Sequence, residues 1–212
     1  MTEIRGIDVS HWNGNIDFTK VKAAGYSFVI IKAGGSDKGF YKDPKFEENY
    51  KKAKAAGLSV GAYYFVGKAF LGAENGLADA RRFEQLLSGK EFEYPVYLDL
   101  ETTPAQKKSL ATIASINFCE YMESKGFFVG IYSSDISGFK EKLDVSKLKD
   151  FTLWVARYGN KPQYVKDPAM WQCSSKGAVK GISGSVDLDI SYVDFAKIIK
   201  KKGFNGFKKS SK

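Results

Sequence analysis

The stretch Pro95-Val96-Tyr97-Leu98-Asp99-Leu100-Glu101 places two carboxyl groups at the end of an apolar run. A strand sends alternate side chains to opposite faces, so Val96, Leu98 and Leu100 share one face and Tyr97, Asp99 and Glu101 the other. Two carboxyls at one strand end suit acid–base work, in which one donates a proton and the other steadies the charge that develops. A half-exposed strand shows the same alternation, so the neighbours must decide. His11 is the one histidine, too few for a histidine metal site or the usual Ser-His or Cys-His triad. Acid chemistry therefore falls on Asp and Glu, and carboxylates alone still have the means to hold a hard cation.

The elements that must position these groups follow from the chain on either side. Arg5 to Ser10 reads as a short strand with Asp8 opposite Ile7 and Val9, followed by Trp12 and a turn at Gly14. Asp17 predicts an N-cap for a helix over Phe18 to Ala24, and Gly25 its C′ residue. Strand Tyr26 to Ala33 carries Lys32 near its end. Asp43-Pro44 reads as N-cap and first turn of a helix with Phe46, Tyr50 and Ala53 on one face, stopped by Gly57. Strand Leu58 to Phe65 brings Tyr63, and a helix over Glu74 to Leu87 leads into the central strand. Ile113, Ile116, Tyr121 and Met122 mark the next helix, which Gly126 ends before strand Phe127 to Tyr132. The glycines at 34, 35 and 39 match neither a Walker A loop nor a dinucleotide fingerprint.

Gly57-Leu58-Ser59-Val60-Gly61-Ala62-Tyr63 aligns without a gap on Gly126-Phe127-Phe128-Val129-Gly130-Ile131-Tyr132. Repeated strand–helix units predict a parallel sheet with helical crossovers, doubly wound or closed. After Phe139 the helical pattern thins while strand-like pieces continue at Leu153 to Arg157, Ala169 to Cys173 and Val186 to Ile190. About eight strands result, the last without full helices, which predicts an α/β TIM-like barrel with its chemistry at the C-terminal strand ends. Those ends offer Asp8, Lys32, Tyr63, Asp99 with Glu101, Tyr132, Arg157, Gln172 and Asp187. One acidic, aromatic-lined pocket is the expectation.

Composition bounds the rest. At 212 residues and 43% hydrophobic content the chain is long and apolar enough for one core, and disorder is excluded as a global description. The division expected is a catalytic barrel over 1–195 and a basic helix end and tail over 196–212. Apolar runs all fall short of the roughly 20 residues that cross a bilayer. Met1-Thr2-Glu3-Ile4-Arg5 shows no signal-peptide pattern, which predicts cytoplasmic synthesis. Cys119 and Cys173 read as buried thiols. The net charge of +9, with Lys200, Lys201, Lys202, Lys208, Lys209 and Lys212 gathered at the end, favours an anionic partner: nucleic acid, a membrane surface or a cell wall.

Gly6-Ile7-Asp8-Val9-Ser10, Gly61-Ala62-Tyr63-Tyr64-Phe65, Tyr97-Leu98-Asp99-Leu100-Glu101, Trp154-Val155-Ala156-Arg157-Tyr158, Trp171-Gln172 and Val186-Asp187-Leu188 together resemble glycoside hydrolase family 25, the phage, bacterial and fungal lysozymes. The resemblance runs from about residue 4 to 195. It implies a β-1,4-N-acetylmuramidase that cuts peptidoglycan between N-acetylmuramic acid and N-acetylglucosamine. Glu101 then matches the general acid, Asp99 its partner carboxylate, and Asp8 and Asp187 the supporting acids. Tyr63 and Tyr132 match pocket tyrosines, and Tyr97, Trp154, Arg157, Gln172 and Lys32 are further expected substrate contacts, with Trp12 and Trp171 as stacking candidates. The implied partner is the peptidoglycan of the wall, met after release from the cytoplasm, with neither nucleic acid nor stable membrane insertion. A monomer without metal or cofactor is expected. The chain departs from the family pattern at Lys32-Ala33-Gly34-Gly35, where Lys-Ala-Thr-Glu-Gly is common, at Tyr64, where His is frequent, and at Asp189, where Asn is usual. No wall-binding repeats follow residue 195. The competing readings are a glycan-binding protein without catalysis and a metal-dependent phosphoesterase using Asp8, Asp99, Glu101 and Asp187.

Overall fold

In the computed structural model, which describes residues 3–209, the apolar strands close on one another. The barrel strands are β1 (Ile4–Val9), β2 (Phe28–Gly35), β4 (Ser59–Val66), β5 (Val96–Leu100), β6 (Val129–Ser134), β7 (Thr152–Ala156), β8 (Met170–Gly177) and β9 (Val186–Ser191). They hydrogen-bond in that order, and β1 pairs with both β2 and β9 to complete the ring. A two-residue strand, β3 (Tyr41–Lys42), folds back on β2 as a hairpin.

The expected parallel barrel needs one correction. β9 runs antiparallel to both β8 and β1, while the other pairings within the ring are parallel. Segment 178–185 is too short for a helical crossover, which needs a dozen or more residues, so the chain reverses instead.

Helices α1 (Phe18–Ala23), α2 (Phe46–Ala55), α3 (Gly72–Leu87) and α4 (Lys108–Ser124) coat the first half. Between β6 and β7 there are only short helical pieces, a wide turn over Asp135–Lys140 and a single tight turn over Val145–Lys147, in line with the thinning pattern. Asp17 caps α1 by accepting the Lys20 N–H at 3.1 Å, and Gly25, Gly57 and Gly126 take positive φ beyond their helices. Asp43 does not cap α2, which begins after Lys45. Its Oδ1 accepts the Lys45 N–H within the preceding turn, and its Oδ2 is held by His11. In α4 the buried face is Ala111, Ala114, Ser115, Phe118, Cys119 and Met122, and Ile113 faces solvent. The cause is close packing on α3: a Cβ on Gly76 would overlap the Ala114 carbonyl, so this seam selects small residues rather than Ile.

Two apolar layers result. Val29, Ile31, Val60, Val96, Leu98 and Leu100 face the helices, whereas Phe28, Ile30, Tyr94, Tyr97, Tyr132, Trp154 and Met170 fill the barrel. The repeat's shared glycine explains how the rings fit, because a Cβ on Gly130 would stand 2.6 Å from the Tyr97 ring.

Because β9 runs backwards it ends at the barrel's lower pole, where α5 (Phe195–Lys202) buries Phe195 and Ile199 against Tyr94 and Phe128. The chain beyond residue 195 thus begins as a helix packed on the barrel. Asn205 is fully buried: its Oδ1 accepts the Phe128 N–H at 2.7 Å, and its Nδ2 donates to the Tyr94 and Phe92 carbonyls at 2.9 and 3.2 Å. Lys208 and Lys209 are exposed beyond this plug, while Met1, Thr2 and Lys212 lie outside the described residues. Cys119 is buried and Cys173 half-buried, both as free thiols. Among the described residues no helix is long and apolar enough to cross a membrane.

Candidate active site

At the upper pole the strand ends enclose a cavity of about 170 Å³ lined by Asp8, Tyr63, Asp99, Glu101, Tyr132, Trp154, Tyr158, Gln172 and Asp187. A roomier hollow of about 350 Å³ on the flank, between Lys161, Lys166 and Tyr192, has Asp167 as its one acid. The acids gather at the mouth.

β5 supplies the first carboxyl pair. Asp99 is 5% exposed near the end of the strand, and Glu101 stands one step further out, a more exposed residue whose side chain still lines the cavity. Both carboxyls line the same cavity, and Asp99 Oδ1 is buried there without a hydrogen-bond donor. Burial and the neighbouring Glu101 charge push Asp99 well above the ordinary carboxylate range. Burial also raises Glu101, against the pull of the Lys142 and Lys32 ammonium groups. Lys142 donates to the Glu101 main-chain carbonyl, which holds its charge beside the pair.

β1 and β9 supply the second pair. Asp8 Oδ2 accepts from Gln172 Nε2 at 2.7 Å, and Gln172 Oε1 accepts from Tyr132 at 2.8 Å and Tyr158 at 3.1 Å. Gln172 thus ties two tyrosines to one acid. Beneath, Asp189 Oδ1 accepts the Trp154 indole N–H at 2.8 Å, while its Oδ2 is buried without a donor, next to the Asp8 carboxyl. Burial pushes Asp189 up to about 8, and burial with the Asp189 and Asp187 charges raises Asp8 strongly. Asp187 lies opposite Asp8 in the β1–β9 register and is pushed up to about 6, mainly by burial and then by the Glu101 charge. It reaches the mouth from the second position of its strand, which is possible because β9 is reversed.

Of the residues singled out in the sequence, Asp8, Tyr63, Asp99, Glu101, Tyr132, Trp154, Gln172 and Asp187 come together, and Lys32, Tyr97 and Arg157 do not line the cavity. Tyr97 lies a layer below Asp99, fully buried with its ring 5.1 Å from Trp154. Strand alternation gives a side chain's face but not its depth. The Lys32 ammonium sits over the Phe65 ring at 4.6 Å and acts on both β5 carboxyls by charge. Arg157 pairs with Asp135 at 3.0 Å, and Asp135 also accepts the N–H groups of Gln163, Tyr164 and Val165, so this contact fastens the loop after β7. Trp171 is 8% exposed and donates to the Arg157 carbonyl, outside the lining.

Sequence reasoning did not place Tyr158 or Lys142 in the site and singled out Asp189 only as a departure from the family pattern. Asp189 was signalled by Asp187-x-Asp189, the same spacing as Asp99-x-Glu101. Tyr158 sits one residue past Arg157, where a single-residue change of strand end exchanges the faces. Lys142 comes from the end of the short helical segment after β6 and has no local signal. Among the described residues no group of three or more His, Cys, Asp or Glu is arranged to hold a metal ion.

Fold and mouth define an α/β barrel with paired carboxyls on an aromatic floor, a frame suited to acid catalysis. The chain belongs to glycosyl hydrolases family 25, whose sequence profile matches residues 7–182. It is similar to the autolytic lysozyme of Clostridium acetobutylicum, with 34% identity over 88% of this chain and 55% of that protein. It is also similar to lysozyme M1 of Streptomyces globisporus, with 32% identity over 87% of this chain and 66% of that one. The chain therefore spans less than two thirds of the length of both. The crystal structure of the CTP1L endolysin superposes with a TM-score of 0.80 at 32% identity, covering 95% of this chain and 70% of that one.

Proposed function

We propose that the chain is an N-acetylmuramidase that cleaves the glycosidic bond between N-acetylmuramic acid and N-acetylglucosamine in peptidoglycan. The observation that carries this is the Asp99–Glu101 pair, facing Asp8 and Asp187 across a cavity of about 170 Å³. Glu101 is the general acid: it stands outermost, where a glycosidic oxygen can reach it, and its raised pKa keeps the proton in place. Asp99 approaches the sugar from the same side as Glu101, whereas a protein nucleophile or general base must act from the opposite ring face. Asp99 is therefore placed to hold the N–H of the substrate's acetamido group while that group's oxygen attacks its own anomeric carbon. The β-linked bond to the leaving sugar breaks as Glu101 donates its proton, and water then opens the ring intermediate with Glu101 as base. Asp8 and Asp187 stabilise the positive charge that develops on the ring. Tyr63, Tyr132, Trp154 and Gln172 are the substrate contacts supported by the lining.

The partner proposed is the bacterial wall, met after release from the producing cell, with the protein acting as a monomer. Lys197, Lys200, Lys201, Lys202, Lys208 and Lys209 are exposed at the pole opposite the mouth, where they attract anionic wall polymer without crowding the cleft.

Turbidity of a bacterial wall suspension tests the reading. The wild type should clear it with or without chelator, and Glu101→Gln, which keeps the shape but donates no proton, should lose at least about a hundredfold in rate while still binding wall. Binding without clearing by the wild type would indicate a glycan-binding protein, and clearing abolished by chelator a metal enzyme.

A further inference from the structure

Three tryptophans are present, and two are core: Trp154 is 1% and Trp171 8% exposed, whereas Trp12 is 83% exposed. Trp12 is not on a loose loop. Its N–H donates to Ser10 Oγ, and the Ser10 N–H to Asn13 Oδ1 at 2.9 Å, a reciprocal cap around one short turn. On one side His11 Nδ1 lies 2.6 Å from the buried Asp43 carboxylate, which also accepts the His11 N–H. On the other side Asn13 Nδ2 donates to the Ser185 carbonyl, two residues before Asp187. The His11 ring lies 4.5 Å from the indole, tilted by 37°, and the indole otherwise stands exposed.

The turn directly follows β1, so it stands on the rim at the Asp8 and Asp187 side, across the ring from β5 and Glu101. The cavity between the acids is only about 170 Å³, yet the substrate proposed is a polymer. A rigid aromatic plane at the rim suits the apolar face of a sugar, because no ordering is needed when the ring arrives. We infer that Trp12 is the stacking platform of an outer subsite, which takes an N-acetylhexosamine ring of the glycan strand beyond the sugars joined by the bond that is cut. The inference rests on the muramidase reading and extends it to the length of strand recognised.

The test uses soluble, peptide-free peptidoglycan oligosaccharides of two, four and six sugars, with Glu101→Gln as the uncleaving parent. The parent should bind longer chains more tightly, and a hexasaccharide should shield the iodide-quenchable tryptophan emission, which comes from Trp12. Adding Trp12→Ala should weaken hexasaccharide binding about tenfold and leave disaccharide binding as in the parent. Trp12→Phe should restore most of the difference. Equal hexasaccharide affinity with and without Trp12, or emission that stays quenchable in the complex, overturns the platform alone. A parent that binds none of the oligosaccharides overturns the muramidase reading together with it.

Discussion

Asp189→Asn should stabilise the protein at neutral pH. Two carboxyls buried against each other must share a proton, and Asp189 is held at about 8 against an ordinary value of 3.8. Such a raised pKa contributes its full stability below the unfolded value and loses it as pH rises toward the folded one, because folding takes up a proton from an ever poorer supply. Between 3.8 and 7 this amounts to at most ~4 kcal/mol, at about 1.36 kcal/mol per pH unit. Local relaxation and water reduce the penalty of a buried charge, so about 2 kcal/mol is our working figure. Asparagine occupies the same volume, its oxygen keeps the Trp154 indole bond, and its amide stays neutral beside Asp8 without any proton uptake. Urea unfolding at pH 4, 5.5 and 7.5 checks this: the variant should match the wild type at pH 4 and exceed it increasingly toward pH 7.5. Parallel pH dependences, or a variant less stable at pH 7.5, would refute the shared-proton argument.

Asn205→Ala should destabilise the barrel by about 3 kcal/mol in the same assay, since it strands the buried Phe128 N–H and the Tyr94 and Phe92 carbonyls; a loss under about 1 kcal/mol would show that the plug is dispensable. Removing residues 208–212 should by contrast leave the unfolding midpoint unchanged and reduce the salt sensitivity of wall binding, and an unaltered salt dependence would sink the anionic-wall role of those lysines. Proton NMR of a fresh digest should show the β-anomer as the first reducing end, the outcome of retention through the acetamido group; the α-anomer would mean that Asp8 or Asp187 activates water instead.

The sequence alone determined the local grammar. Caps at Asp17, stops at Gly25, Gly57 and Gly126, and the repeated strand–helix unit are nearest-neighbour effects, so the barrel and the face of Asp99 and Glu101 could be read from spacing. Asp8, Tyr63, Tyr132 and Gln172 were legible because a barrel brings its strand ends to one pole. Tertiary structure decided what depends on depth and direction. Tyr97 shares the face of Asp99 yet lies in the core beneath it, because pleat alternation carries no information on how far a ring sits from the rim. Arg157 turned to Asp135 because a residue just past its strand is free to leave the alternation. Asp43 gave up its cap to His11, a partner 32 positions away. Asp187 and Asp189 reached Asp8 of β1 only because β9 reversed, and the same reversal carried Phe195 and Asn205 to the other pole. A short connection permits that reversal, but the hydrogen bonds of β1 and β8 on either side select it, and those partners are distant in the chain.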